Sequence, residues 1–325
     1  MFTLERRVEQ SKSWLALSPI MAIVLTILSG IIIFSVLEKD PWMSLYTFFI
    51  QPLTTGFGVT ELIVKATPLI LIGVGLSIGF KANVWNIGAE GQFTMGAIAG
   101  GGTALFLNTQ ESFLVLPAVL LMGILGGVVW GMIPAFLKTK FNANEILTSL
   151  MLSYVALLIL SYLVHGPWRD PGGYNFPESE IFSDFAMLPI LLEGTRLNLG
   201  TGFALLSVLI IYILLSRTVL GYQFKVVGLA PAAAKHAGFD RAKLIWLSMI
   251  ISGGLAGLAG ISEVSGTIGQ LLPSVSPGYG FTAIIVAFLG RLNPVGVLFA
   301  GLIMALTYIG GENAQIEIGL PAAVT

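Results

Sequence analysis

The chain has no cysteine and only two histidines, His165 and His236, in 325 residues. Disulfides, thiol nucleophiles and Cys/His metal clusters are thereby excluded. Charge is nearly as scarce. Only 10% of the residues are Asp, Glu, Lys or Arg, and the carboxylates are too scattered to form the catalytic constellation of a membrane-embedded enzyme. Neither Gly-Lys-Ser nor Gly-Lys-Thr occurs, so the phosphate-cradling loop of a nucleotide hydrolase is missing. The N-terminus carries no signal-peptide cleavage pattern. Arg6, Arg7 and Lys12 instead precede a long apolar run, which reads as an uncleaved first span.

What fills the chain is apolar surface. Hydrophobic residues make up 55% of it, with 39 glycines and a mean hydropathy of +0.90. Runs of the ~20 residues that cross a bilayer as a helix recur between short polar segments. The predicted fold is all-α, a polytopic integral membrane bundle of about nine to ten helices, some broken near the midplane, in one domain over 1–325. A porin-type barrel would show alternating segments of about ten residues instead. Spans are expected at 16–37, 62–80 (interrupted at Pro68), 93–107, 114–137, 145–164, 199–216, 244–264 and 294–309, with 281–289 too short to cross fully. A short interfacial helix is expected in the loop through Trp42, Pro52 and Gly58. The polar segment 165–198 carries the acids and aromatics of a long loop. The end at Leu320-Pro-Ala-Ala-Val-Thr325 has no basic tail, and a further helix is expected beyond it.

Alternating the spans from an inside N-terminus puts twelve cations on one side: Arg6, Arg7, Lys12, Lys81, Lys138, Lys140, Arg217, Lys225, Lys235, Arg241, Lys243 and Arg291. Only Lys39, Lys65, Arg169 and Arg196 fall on the other. The positive-inside rule then makes the first side cytoplasmic and the 165–198 loop external. Small-xxx-small pairs at Gly96/Gly100, Gly127/Gly131 and Gly253/Gly257 suit close helix contacts.

Two polar stretches interrupt the apolar pattern. The dodecamer Lys81-Ala-Asn-Val-Trp-Asn-Ile-Gly-Ala-Glu-Gly-Gln92 brings Asn83, Asn86, Glu90 and Gln92 next to Gly88 and Gly91. A helix break there leaves backbone groups that hydrocarbon tolerates only inside protein or along a water-filled path. The alternative is a turn at the membrane surface. Glu90 and Glu145 fit either a pathway or helix N-termini, where a carboxylate gains from the macrodipole. Glu263 either pairs with Arg196 or faces water; Tyr279 and Phe281 are either belt aromatics or stacking platforms. A second break, dense in Gly, Pro and Ser, runs from Ser265 to Gly280. Amides at Asn83, Asn86, Gln92, Asn144 and Gln270 can hydrogen-bond a neutral, hydroxyl-rich solute in transit, and weak multiple contacts suit a ligand that must also leave. Between two spans, Gly228-Leu-Ala-Pro-Ala-Ala-Ala-Lys-His-Ala-Gly-Phe239 reads as a short helix, with Pro231 in its first turn and Gly238 as its stop.

Asn86-Ile-Gly-Ala-Glu-Gly-Gln92, the 228–239 helix, Gly278-Tyr-Gly-Phe-Thr-Ala-Ile284 and Leu289-Gly-Arg-Leu-Asn-Pro294 occur together in this order. The set resembles the permease subunits of bacterial ABC importers of the simple-sugar, nucleoside and branched-chain amino acid class, from about Val59 to the chain end. With Asn144-Glu-Ile-Leu-Thr-Ser-Leu-Met-Leu152 and the long loop, the likeness is to the nucleoside branch, and the runner-up is a monosaccharide permease such as one for ribose. The resemblance implies two cytoplasmic ABC ATPase subunits that use ATP and Mg, a second permease subunit, identical or paralogous, and an external substrate-binding lipoprotein, in the plasma membrane. Its coupling helix maps onto Gly228, Ala233, Ala234, His236, Ala237 and Gly238; the family usually has Asn at 230 and Tyr at 236, where Ala230 and His236 stand. The chain itself is then no enzyme and holds no cofactor, and its remaining partner is membrane lipid rather than nucleic acid. A reading of a different class, an ion-coupled secondary transporter with Glu90 as carrier, uses broken helices as well.

Overall fold

The computed structural model describes residues 12–321; Arg6, Arg7 and the chain end after Pro321 lie outside the described residues. The helices are α1 Lys12–Val36, α2 Pro41–Leu45, α3 Gly56–Lys81, α4 Ala89–Phe106, α5 Val115–Phe141, α6 Glu145–His165, α7 Gly200–Arg217, α8 Val219–Leu229, α9 Pro231–His236, α10 Arg241–Glu263, α11 Tyr279–Leu289 and α12 Pro294–Asn313. Among the described residues there is no strand beyond a single bridge between Ile190 and Asn198. Among the described residues six helices are long and apolar enough to cross a membrane: α3, α5, α6, α7, α10 and α12, the last two lengthened by π-turns to Ile268 and Ile318. The all-α, polytopic reading stands.

Among the described residues two compact units are distinguished, one within 12–59 and 306–321, the other 60–305. In the smaller, Phe34, Ala314 and Leu320 form a core joined by Leu37, Leu45, Phe48 and Ile318. The interfacial helix expected near Trp42 is α2. Asp40 caps it, accepting from the Trp42 and Met43 amides at 2.9 and 3.2 Å, and Pro41 occupies its first position.

In the larger unit α3 is the buried centre: Leu69, Leu71, Ile72, Leu76 and Ile78 are all at most 1% exposed. Two expectations for this helix are corrected. It starts at Gly56 rather than Leu62, with the Thr55 hydroxyl accepting from the Gly58 amide at 3.0 Å. Nor does Pro68 interrupt it. Proline removes the amide that would bond the carbonyl four residues back, but membrane helices tolerate this where neighbours surround the backbone. The Thr67 hydroxyl donates to the Ile63 carbonyl at 2.9 Å, one position away.

Helices α4, α5 and α10 approach one another at backbone distance. A Cβ on Gly257 would overlap the Gly123 carbonyl and meet the Gly127 Cα at 3.0 Å; Gly96 and Gly127 face Gly257 in turn. Lipid tails are as apolar as leucine, so these contacts hold by dispersion and close approach, not by a hydrophobic driving force. The break after α10 is also observed. A π-turn at Val264–Ile268 is stopped by Gly269 at φ 83°, and the chain re-enters helix at Tyr279 after Gly278 at φ 92°.

Gly257→Leu has no cavity to occupy, and the expected loss is at or above the upper end of the ~1–3 kcal/mol range for overpacking. Gly202→Ala, whose new methyl meets only the Leu199 side chain at 3.6 Å, is expected to leave stability unchanged. Thermal unfolding of the two variants in detergent checks the contrast.

Candidate functional site

The dodecamer re-enters the protein. After Lys81 the chain turns at Asn83, whose φ is 57°, and the Val84 amide bonds back to the Gly79 carbonyl at 2.9 Å. Asn83 is exposed, and its Oδ1 accepts from the indole of Trp85 at 2.9 Å. Trp85 and Phe80 both stack on Phe288 at this level and tilt against each other, with centroids 5.0 to 5.6 Å apart. Three residues on, Asn86 is only 2% exposed and its Nδ2 donates to the Ser252 hydroxyl at 2.8 Å. Ser252 lies well inside α10, about 16 Å from the helix start at 1.5 Å per residue, which is half of a ~30 Å hydrocarbon core. The chain has thus descended from the end of α3 to mid-depth before α4 begins.

At that depth both polar atoms of the Asn86 side chain are engaged. Nδ2 also donates to Gln92 Oε1 at 2.8 Å; Oδ1 accepts from Gln92 Nε2 at 3.2 Å and from the Gly88 amide at 3.1 Å. Two further amides around the start of α4 are met by α6. Ser149 accepts from the Ile87 amide and Ser153 from the Gly91 amide, both at 3.2 Å. These bonds require close approach: a Cβ at Gly88 would lie 2.6 Å from the Ser149 carbonyl oxygen, and one at Gly91 2.7 Å from the Ser153 Cα.

Glu90, 3% exposed, caps a helix, but not its own. Its Oε2 accepts from the Gly280 amide in the first turn of α11 at 2.7 Å, and the Ser276 hydroxyl donates to the same carboxylate. Ser276 in turn accepts from the Gly278 and Tyr279 amides at 3.1 and 3.0 Å. The carboxylate therefore sits where the positive ends of α4 and α11 converge. Tyr279 is buried with its edge on Phe93, so it belongs to the core rather than to an interfacial belt.

The other predicted site residues lie elsewhere. Asn144 is exposed and caps α6, accepting from the Ile146 amide at 2.9 Å; the adjacent Glu145 pairs with Lys138 at 2.8 Å. Gln270 donates to Glu178 at 3.0 Å, because the 165–198 loop folds onto the second break. Backbone bonds join Ser179 to Leu271, Phe182 to Gly269 and Leu188 to Ser265. Trp168 rests on Gly102, while Tyr174 and Phe176 stand 94% and 64% exposed. Arg196 pairs with Glu61. Ser149, Ser153, Ser252 and Ser276 escaped sequence reasoning. The signal was there for the first two, one helical turn apart on α6 as Gly88 and Gly91 nearly are on the re-entrant stretch.

The 228–239 segment is two helices, not one. Gly228 belongs to α8, where a Cβ would overlap the Lys81 carbonyl. Pro231 opens α9, and Gly238 ends it at φ 75° as expected, with the Phe239 amide bonding the Ala234 carbonyl at 3.0 Å. Ala234 is buried; Ala233, His236, Ala237 and Gly238 are exposed. His236 Nδ1 lies 2.8 Å from the Ala232 carbonyl. A carbonyl only accepts, so that nitrogen carries the proton.

Residues 58–323 match the family model described as "Branched-chain amino acid transport system / permease component". The chain is 38% identical to the glucose ABC transporter permease TsgB13 of Haloferax volcanii, over 96% of this chain and 84% of that protein. It is 32% identical to the guanosine ABC transporter permease NupP of Bacillus subtilis, over 95% and 89%. Against the nucleoside ABC transporter permease NupB of Lactococcus lactis it is 29% identical, over 97% and 88%.

Glu90→Gln keeps an acceptor for the Gly280 amide and is expected to fold close to wild type. Glu90→Leu leaves that amide orphaned, at a cost of about 1–3 kcal/mol. The unfolding midpoints of the two variants, compared in detergent, read the difference.

Proposed function

The chain belongs to the branched-chain amino acid transport system / permease component family, and from that premise we propose that it carries a neutral, hydroxyl-rich solute, in the first instance a nucleoside. It is a permease subunit of an ABC importer and forms the translocation pathway. The observation that carries the substrate reading is the Asn86–Gln92–Ser252 cluster. It is buried, uncharged, at mid-depth, and built from groups that both donate and accept. Such groups exchange partners with ribose hydroxyls without a counter-charge. The 32% identity to a guanosine permease supports a nucleoside, and the 38% identity to a glucose permease favours a monosaccharide as the second reading. Glu90 is held by the Gly280 amide and Ser276, which gives no support to an ion-carrying role.

In this reading the second permease subunit completes the path, an external lipoprotein sets specificity by docking at the 165–198 loop, and two ATPase subunits supply the energy from ATP and Mg. The distribution of cations, twelve against four, supports a cytoplasmic side for α8 and α9 with the N-terminus. The exposed face of α9, with Ala233, His236, Ala237 and Gly238, is small and flat enough to seat in a cleft of the ATPase. Nucleotide-driven closure would move it as a rigid body.

Uptake of radiolabelled guanosine, in cells expressing this chain with its neighbouring ATPase, permease and lipoprotein, tests the substrate. Competition by several nucleosides but not by glucose, ribose or leucine is expected. Accumulation of labelled glucose or ribose with no guanosine uptake would move the substrate to sugars.

Ala233→Arg puts a bulky charge on the α9 face and is expected to lower uptake about tenfold or more, the loss of one good contact at an interface, with the permease still present in the membrane. Gly228 is the wrong position for this test, since any side chain there strikes Lys81. Unchanged uptake in Ala233→Arg would remove α9 from the ATPase interface.

A further inference from the structure

Between α5, α7 and α10 lies an open groove of about 490 Å³, lined by Ile124, Val128, Leu206, Ile210, Leu214 and Leu258 among others. Its walls offer no free polar group. The one hydroxyl in the lining, Ser207, donates to its own helix at Ala204, at 2.7 Å. Leu206 and Ile210 stand half exposed in it, at 53% and 51%. In a bilayer such a space does not stay empty.

Length and charge identify the occupant. The groove runs along α7 from Phe203 to Leu214, about 16 Å at 1.5 Å per residue and so about one leaflet of a ~30 Å hydrocarbon core. All three helices that line it end in cations on the same side. Arg217 follows Leu214 by less than one turn, Lys243 precedes Ile250 by two, and Lys140 closes α5. All three are exposed, and none makes an ion pair among the described residues. The nearest carboxylate in sequence, Asp240, is taken up in capping α10 through the Lys243 amide. We propose that the groove binds one acyl chain of an anionic phospholipid from the leaflet on this side, with its phosphate on Arg217 and Lys243. A zwitterionic headgroup gains less from those cations, because its own ammonium offsets the phosphate charge. A helix from a second copy of the chain would bring the cations of its own ends against them.

Native mass spectrometry of the full-length chain, purified with its partners and titrated with phosphatidylglycerol or phosphatidylcholine of identical chains, tests this. Wild type is expected to retain one phosphatidylglycerol and to prefer it. Arg217→Gln and Lys243→Gln each lower phosphatidylglycerol affinity about fivefold, the effect of one basic side chain near an anionic surface, and lower phosphatidylcholine affinity by less. Ile210→Trp fills the groove and loses the lipid, whereas Leu158→Trp on an exposed face of α6 keeps it. Retention of no phosphatidylglycerol overturns the proposal, as does undiminished retention in Ile210→Trp or equal affinity for both lipids in wild type. The natural chain has no cysteine, so Ile210→Cys gives a clean further check. Its cross-linking to a second copy in membranes would assign the groove to a permease interface and overturn the lipid.

Discussion

A backbone amide inside hydrocarbon must find a partner within the protein, and most of this structure follows from where that rule bites hardest, at the start of α4. A helix that begins at mid-depth exposes its first amides far from water and from headgroups. Here those of Ile87, Gly88 and Gly91 are answered by side chains from two directions: Asn86 from the re-entrant stretch itself, and Ser149 and Ser153 from α6. The opposite break, before α11, is answered by Glu90 and Ser276. The first interruption thus helps cap the second, and α4 cannot shift along its axis without uncovering amides at the start of both helices.

Close packing is the condition for that arrangement. A serine hydroxyl reaches a neighbouring helix's backbone only when the two backbones nearly touch, which is why Gly88 and Gly91 lie against Ser149 and Ser153. The same logic extends upward through Gly96, Gly127 and Gly257, where α4, α5 and α10 meet without side chains between them. Glycine is costly to order in an isolated helix. In lipid it returns the contact that the hydrophobic effect no longer supplies.

The spans were legible in the sequence because hydropathy is a one-dimensional signal. Seven of the expected spans overlap their helices closely, and Gly269 and Gly278 bound the second break where turn chemistry places it. Position 62 failed as a start because Thr55 caps the helix a full turn and more before the apolar run becomes dense. Pro68 failed as a stop because burial among neighbours outweighs the loss of one hydrogen bond. In the polar dodecamer, sequence identified the residues but not their fates. Asn83 and Asn86 are the same residue type three positions apart, yet one ends a turn at the helix edge and the other is buried at mid-depth. Only the partner helices decide that, and Ser252, 166 residues away from Asn86, leaves no local trace. The long loop is a similar case, since its backbone pairing with 265–271 depends on the break it covers.

One contact ties the re-entrant stretch to α8 and α9. Gly228 presses on the Lys81 carbonyl so closely that not even a methyl group fits between them. Five residues after Lys81 comes Asn86, the hub of the buried amide cluster, and the Val84 amide pins the intervening turn to Gly79. A displacement of α8 toward α3 has no side chain to compress; it acts directly on the backbone at Lys81 and Ala82. A force on α9 and a rearrangement at Asn86 are then separated by one helix, one bare backbone contact and a short pinned turn. Such a linkage is stiff because it lacks side chains, so the glycine that admits the close approach is also what would let a small movement arrive undiminished.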